Sequence, residues 1–210
     1  MQWEKLSETI QIAINDAHRF GTDAFLLEHF AAVRGIDTVC DLCAGCGIIG
    51  LLMLRRERPP QSVTAVEIAP DAVELMRQTA EISSLTHFAP LRGDLRGIRT
   101  LLPAHSFRLV TCNPPYFPAG SGYLCPEDSR RRARHEQEES CTIGEVCDAA
   151  AWLLQYGGRF CLCQRPERLT DVLLAMRQAG LEPKRLRWVQ QRPEKASWLF
   201  LVEGKAGAKP

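Results

Sequence analysis

A chain of 210 residues with 45% hydrophobic side chains is long enough to bury one substantial core and too short for two full-sized domains. Lys and Arg number 26 against 25 Asp and Glu, a near-cancellation that excludes a global field drawing the molecule onto nucleic acid or membrane, so any basic surface must be local. The start, MQWEKLSETIQIAINDAHRF, lacks the unbroken apolar core of a signal peptide, and no later segment has the length of apolar residues a membrane span needs.

These features predict a soluble, cytoplasmic protein without a membrane partner. The amphipathic look of the first residues predicts a helical extension over 1–35, packed on a core domain over 36–210. Nine cysteines, an odd number partly buried in apolar runs (Cys40, Cys112, Cys161, Cys163), read as reduced packing thiols rather than a disulfide framework.

Along the core, short apolar runs alternate with longer segments of helical period, the pattern of an α/β parallel sheet flanked by helices. DTVCDL (37–42) reads as a first buried strand and Ile48 to Arg58 as its helix, stopped by Pro59 and Pro60. SVTAVE (62–67) is a second strand, and Pro70 and Asp71 open a helix with Val73, Met76 and Ala80 on one face. THFAPLRGD (86–94) is a weaker third strand, and FRLVTC (107–112) a fourth that stops at Asn113-Pro114-Pro115-Tyr116.

A polar insertion follows over 117–141. Ile143 to Tyr156 reads as a helix closed by Gly157-Gly158, RFCLCQ (159–164) as a fifth strand, and Pro166 to Ala179 as another helix. RLRWVQQ and SWLFLVEG, from Arg185 and Ser197, form a final pair of strands. Trp3, Trp152, Trp188 and Trp198 are assigned to the core.

The stretch VCDLCAGCGIIG (39–50) admits two readings, a thiolate cradle or a ligand-binding turn. Ferredoxin-type spacing fails at the fourth position, which is Gly50, and a strand through Cys40 separates its thiol from the others. No metal is therefore expected. In the second reading Asp41 ends a strand and Gly45, Gly47 and Gly50 let backbone approach a ligand, with Cys43 and Cys46 as small fillers.

Glu67, 26 residues after Asp41, stands where an acid can accept from both hydroxyls of a ribose. No Gly-Lys-Ser/Thr follows the turn, and Asp41 would repel a pyrophosphate, so a cationic, phosphate-free adenosine ligand fits best. S-adenosylmethionine is such a ligand, and Asp94 can accept from its adenine amino group.

Asn113-Pro114-Pro115-Tyr116 sits at the carboxyl end of the fourth strand, the ligand-binding side of an open α/β sheet. The Asn113 side-chain oxygen and the Pro114 carbonyl can hold the two hydrogens of a planar amine such as adenine N6 and favour its pyramidal form. Tyr116 suits stacking on the flat base.

Together, Asp41 to Gly50, Glu67, Asp94 and Asn113 to Tyr116 resemble the class I, Rossmann-like methyltransferases of amino groups over residues 36–203. Thr22 to Leu27 (TDAFLL), NPPYF (113–117), Ala133 to Glu136 (ARHE) and the ending from Leu199 to Pro210 are similar to the bacterial valine tRNA adenine N6-methyltransferase family. That resemblance implies a seven-stranded, mainly parallel sheet with helices on both faces and an antiparallel strand at the C-terminal end. It further implies a monomer using S-adenosylmethionine on position 37 of a tRNA, with Asn113, Pro114, Pro115 and Tyr116 as the catalytic loop.

The chain departs from the family at Cys43, where glycine is usual, and a Cβ there is expected to crowd the ligand or push the loop outward. Arg130, Arg131, Arg132 and Arg134, with Phe117, lie in the insertion near where a base would enter. The arginines can contact RNA phosphates or pair at i,i+4 with Glu136 and Glu138 on a solvated helix.

Three alternatives accompany this reading, one of them a non-enzymatic redox or metal module on Cys40, Cys43 and Cys46. Methylation of a protein glutamine presents the same NH₂ to the same loop, although only about 35 residues precede the first strand, short for the helical domain of such enzymes. DNA adenine methylation is disfavoured because 117–141 is too short for a base-reading domain.

Overall fold

The computed structural model describes residues 1–115 and 141–210. Strands β1 (Gln2–Lys5) and β2 (Gln11–Ile14) pair antiparallel and lead into helix α1 (Thr22–Ala31). The chain then alternates through β3 (Thr38–Leu42), α2 (Ile48–Leu54), β4 (Ser62–Glu67), α3 (Pro70–Ile82), β5 (Phe88–Arg92), α4 (Ile98–Leu101) and β6 (Phe107–Cys112). After the undescribed segment come α5 (Ile143–Leu153), β7 (Leu154–Gln164), α6 (Leu169–Gln178), β8 (Leu181–Val189) and β9 (Leu199–Ala206).

Strands β3 to β9 form one sheet in the order β5-β4-β3-β6-β7-β9-β8. The first five strands in that order run parallel, and β9 lies antiparallel to both β7 and β8. Successive residues of the central strands feed opposite layers, as the two-residue period of a strand requires. Val39, Leu109, Cys161 and Leu201 pack on the side of α1, α2 and α3 with Leu27, Phe30, Leu52 and Met76. Cys40, Val110, Leu162 and Val202 face α4, α5 and α6 with Ile98, Val146, Leu153 and Met176. Both faces are covered, which explains the near-continuous apolar runs of these strands.

Chain order fixes where a ligand can lie. From β3 the chain moves outward through β4 and β5, then returns to place β6 on the other side of β3. The loops leaving β3 and β6 therefore diverge and open a crevice at the carboxyl edge. Gly47 allows the tight turn there, with φ +81° at the start of α2. A Cβ at this glycine would fall 2.8 Å from Phe88 and 2.9 Å from the Met76 sulfur.

Several expected boundaries differ. The N-terminal region is not wholly helical: its buried Ile12, Ala13 and Ile14 lie on β2, which docks on α3 through Ala13 N–H donating to the buried Thr79 hydroxyl at 2.9 Å. A three-residue apolar run reads alike in either period. Helix α2 ends at Leu54, four residues before Arg58. Helix α5 ends at Leu153 and β7 begins at once, so Gly157-Gly158 lies inside a strand, where pairing with β6 shifts register. Pro166–Arg168 form a 3₁₀ turn ahead of α6. Strand β8 begins at Leu181, and Trp188 on it is 46% exposed rather than core.

Gly47→Ala is expected to destabilise the fold by about 2 kcal/mol or more, from left-handed strain plus overpacking. A lower urea midpoint at unchanged slope would show it.

Candidate active site

The carboxyl ends of β3, β4, β5, β6 and β7 meet around a cavity of about 550 Å³, within the size range of small-molecule sites. Its walls include Cys43, Gly45, Glu67, Asp94, Asn113, Pro114 and Pro115, so seven residues singled out in the sequence converge on one space.

Glu67 organises the floor. Its Oε2 accepts from Gly45 N–H at 2.8 Å, and its Oε1 accepts from Ile68 N–H at 2.9 Å and Ala69 N–H at 3.0 Å. One carboxylate thus ties the β3 loop to the start of α3. Gly45 has φ +56° and nothing within 4 Å of where a Cβ would stand, an open approach to the backbone. Asp94 accepts from Arg96 N–H through Oδ1 and from the Arg96 guanidinium through Oδ2, and that hydrogen bonding holds its carboxyl below the usual range.

Two residues need correction. Asp41 is fully buried and does not line the cavity; its Oδ1 accepts from the Thr111 hydroxyl at 2.6 Å across β3 and β6. Burial pushes its carboxyl up from 3.8 to about 7, opposed by the Thr111 hydrogen bond and reinforced by the charge of Glu67. Gly47 is likewise absent from the lining and serves the turn and its packing. Both support the site from beneath.

Cys43 adopts the left-handed conformation a glycine would take there without strain, φ +54°. Its Sγ lies 3.9 Å from Cys141 Sγ, and both residues line the cavity. Hydrogen bonding with Cys112 and burial raise the Cys43 thiol well above its usual range, and its bond with Cys43 raises Cys141 in turn. Cys40 and Cys46 pack in different layers of the core, on opposite faces of the sheet. Among the described residues no group of three or more His, Cys, Asp or Glu is placed to hold a metal ion.

At the rim, Asn113 follows β6 directly. Its Nδ2 donates to Asp23 Oδ2 at 3.0 Å, and its Oδ1 accepts from Cys163 Sγ at 3.1 Å. Gln164 Nε2 donates to the Pro115 carbonyl at 3.4 Å. Tyr116, Phe117, Arg130, Arg131, Arg132 and Arg134 lie outside the described residues.

The cavity also takes residues the sequence reading did not assign to it. His18, whose ring pairs with Asp71 at 2.8 Å, Phe20 and Asp23 come from the segment entering α1, Ile68 follows Glu67, and Arg165 and Trp198 close the far side. Only Asp23 carried a signal, through the TDAFLL stretch.

A family model described as the methyltransferase small domain matches residues 17–123. The chain belongs to the methyltransferase small domain family. This methyltransferase domain is 32% identical over 168 residues to the tRNA1(Val) (adenine(37)-N6)-methyltransferase of Tolumonas auensis, an alignment covering 78% of the chain and 66% of that relative. It spans 58% of the similarly described Erwinia tasmaniensis protein, so the curated relatives are longer than the matched region.

Among solved structures, a predicted O-methyltransferase of Agrobacterium tumefaciens aligns with TM-score 0.66 at 23% identity, over 89% of this chain and 82% of that one. M. jannaschii TYW2 in complex with AdoMet aligns with TM-score 0.63 at 13% identity, over 97% and 84%. These likenesses establish the Rossmann-like methyltransferase fold, and the antiparallel strand expected near the C-terminal end is β9.

The Asp41 environment has a measurable sign. The native state keeps its proton to about pH 7 while the unfolded chain releases it near 3.8, so this group's stabilisation is complete below 3.8 and is lost as pH rises through about 7. Asp41→Asn is expected to remove that slope and to gain stability relative to the parent at pH 8 over pH 5, measured by denaturation at both.

Proposed function

We propose that this chain transfers a methyl group from S-adenosylmethionine to the exocyclic N6 of an adenine in tRNA. The observation that carries the proposal is that Asn113 and Pro114 share one cavity with Gly45, Glu67 and Asp94. Amine-holding groups and adenosine-holding groups therefore face the same space.

The residues fit the cofactor. Glu67 Oε2 has a second lone pair beyond its contact with Gly45 N–H and can accept from a ribose hydroxyl, while Oε1 already accepts from two backbone N–H groups. Gly45 leaves room beside it, and Ile68, 38% exposed although apolar, offers a flat contact next to Glu67. Asp94 lines the same cavity, and its carboxylate can accept from the adenine amino group. When bound, S-adenosylmethionine supplies a methyl group made electrophilic by a sulfonium.

On the acceptor side, Asn113 Oδ1 and the Pro114 carbonyl accept the two hydrogens of the amine. Held this way the nitrogen loses conjugation with the ring, and its lone pair can take the methyl group as the carbon–sulfur bond breaks, leaving a neutral thioether; the nitrogen then releases one proton to solvent. Catalysis then rests on positioning and fixed dipoles rather than on a covalent intermediate. The choice of tRNA as acceptor is supported by the description of the Tolumonas auensis and Erwinia tasmaniensis relatives. No helix among the described residues is long and apolar enough to cross a membrane.

The test is label transfer from radioactive S-adenosylmethionine to unmodified valine tRNA, with a release-factor protein as a parallel acceptor. Label released as N6-methyladenosine is expected, and Asn113→Ala should cut the rate by about a hundredfold or more, since it removes a dipole aimed at the reacting nitrogen. Label on the protein alone would overturn adenine as the acceptor.

A further inference from the structure

Asn113 is the group on which the proposed transfer depends, and its amide is gripped by two residues distant in sequence. Its Nδ2 donates to Asp23 Oδ2 at 3.0 Å, while Cys163 Sγ donates to its Oδ1 at 3.1 Å. An ionised carboxylate can only accept, so the amide nitrogen must face Asp23 for the contact to be attractive. A thiol donor on the other side requires the same orientation. Turned over, the amide would set its carbonyl against the carboxylate and its NH₂ against the thiol hydrogen.

Asp23 is itself placed by its neighbours. It stands in the first turn of α1 and lines the cavity with Asn113. A Cβ at Gly21 would fall 2.6 Å from Asp23 Oδ1, so the missing side chain makes room for the carboxylate to fold back over the helix start.

The geometry points to Asp23 as a positioning residue that fixes the Asn113 amide so that its oxygen, not its NH₂, is offered to the acceptor amine. The orientation matters chemically. An amide oxygen takes a hydrogen of the amine and leaves its lone pair for the methyl group, whereas an N–H aimed at the same nitrogen would engage that lone pair. This inference rests on the amine-methylation reading and adds to it a residue outside the Asn-Pro-Pro-Tyr loop.

The sequence provides a direct probe, because Asn15 and Asn113 are its only asparagines. Protein labelled with ¹⁵N-asparagine should show two side-chain amide pairs, assigned with Asn113→Ala. Asp23→Ala and Asp23→Leu are expected to shift the Asn113 pair and speed its exchange with water while leaving Asn15 in place. Asp23→Asn, which retains an acceptor oxygen and adds a third pair of its own, should restore the Asn113 signals.

In methyl transfer, the Ala and Leu variants should lose about tenfold to a hundredfold in kcat with KM for S-adenosylmethionine within about twofold, and Asp23→Asn should recover to within about threefold of the parent. An Asn113 amide pair unmoved by Asp23→Ala, or an unchanged kcat, overturns the inference, as does a loss confined to KM for S-adenosylmethionine. A parent protein that methylates neither RNA nor protein overturns the reading beneath it, while an active parent with Asp23-insensitive kinetics overturns only the role of Asp23.

Discussion

Strands β3 and β6 lie side by side, yet the chain continues from them toward opposite edges of the sheet. Their outgoing loops must part, and no other pair of neighbouring parallel strands in this order does the same. Everything at the site hangs on that divergence. The β3 loop carries Gly45, β4 delivers Glu67 one strand away, and β6 delivers Asn113 on the other side. The hydrogen bond from Thr111 to Asp41 links the two diverging strands just below the opening, from within the core.

Around this frame the sheet is tied by buried charge. Arg159 on β7 donates to Asp37, which precedes β3, at 2.7 Å, and lies 3.6 Å from Glu203 on β9; Arg185 on β8 reaches the same Glu203 at 2.6 Å. Asp37 is 3% and Glu203 8% exposed. Removing Arg159 would leave the buried Asp37 carboxylate without this cation, so the cost of breaking that pair exceeds what forming it contributes. The network joins strands parallel and antiparallel to the rest, holding in register the half of the sheet that carries Cys163, Gln164 and Arg165.

Strand positions and site loops were legible because their signals are local: an apolar run followed by glycine, acid or Asn-Pro-Pro announces itself within a few residues. Asp41, Gly47 and Asp23 show where such reading stops. Position in a motif identified Asp41, but depth depends on what covers the strand, here α2 and the neighbouring β6. Gly47 matched the ligand-turn pattern, yet Phe88 and Met76 reach it from elsewhere in the chain. Asp23 meets Asn113 across 90 residues, a contact no periodicity encodes. The hairpin of β1 and β2 was missed for the same reason, since its partner, Thr79 on α3, is remote.

Strand β9 follows β8 in the chain but sits between β7 and β8 in the sheet. During synthesis β8 therefore emerges before the strand that must separate it from β7, with no correct partner yet available. Its exposed Leu186 and Trp188 and its unpaired backbone would invite direct pairing with β7, a mistaken register that β9 must prevent or displace. Phe200 and Val202, fully buried in the finished layer, supply the apolar gain for that late insertion. Closure of the sheet, and with it the wall formed by Trp198 and Arg165, must therefore wait for the last strand to be synthesised, whereas β3 to β6 are all complete earlier in the chain.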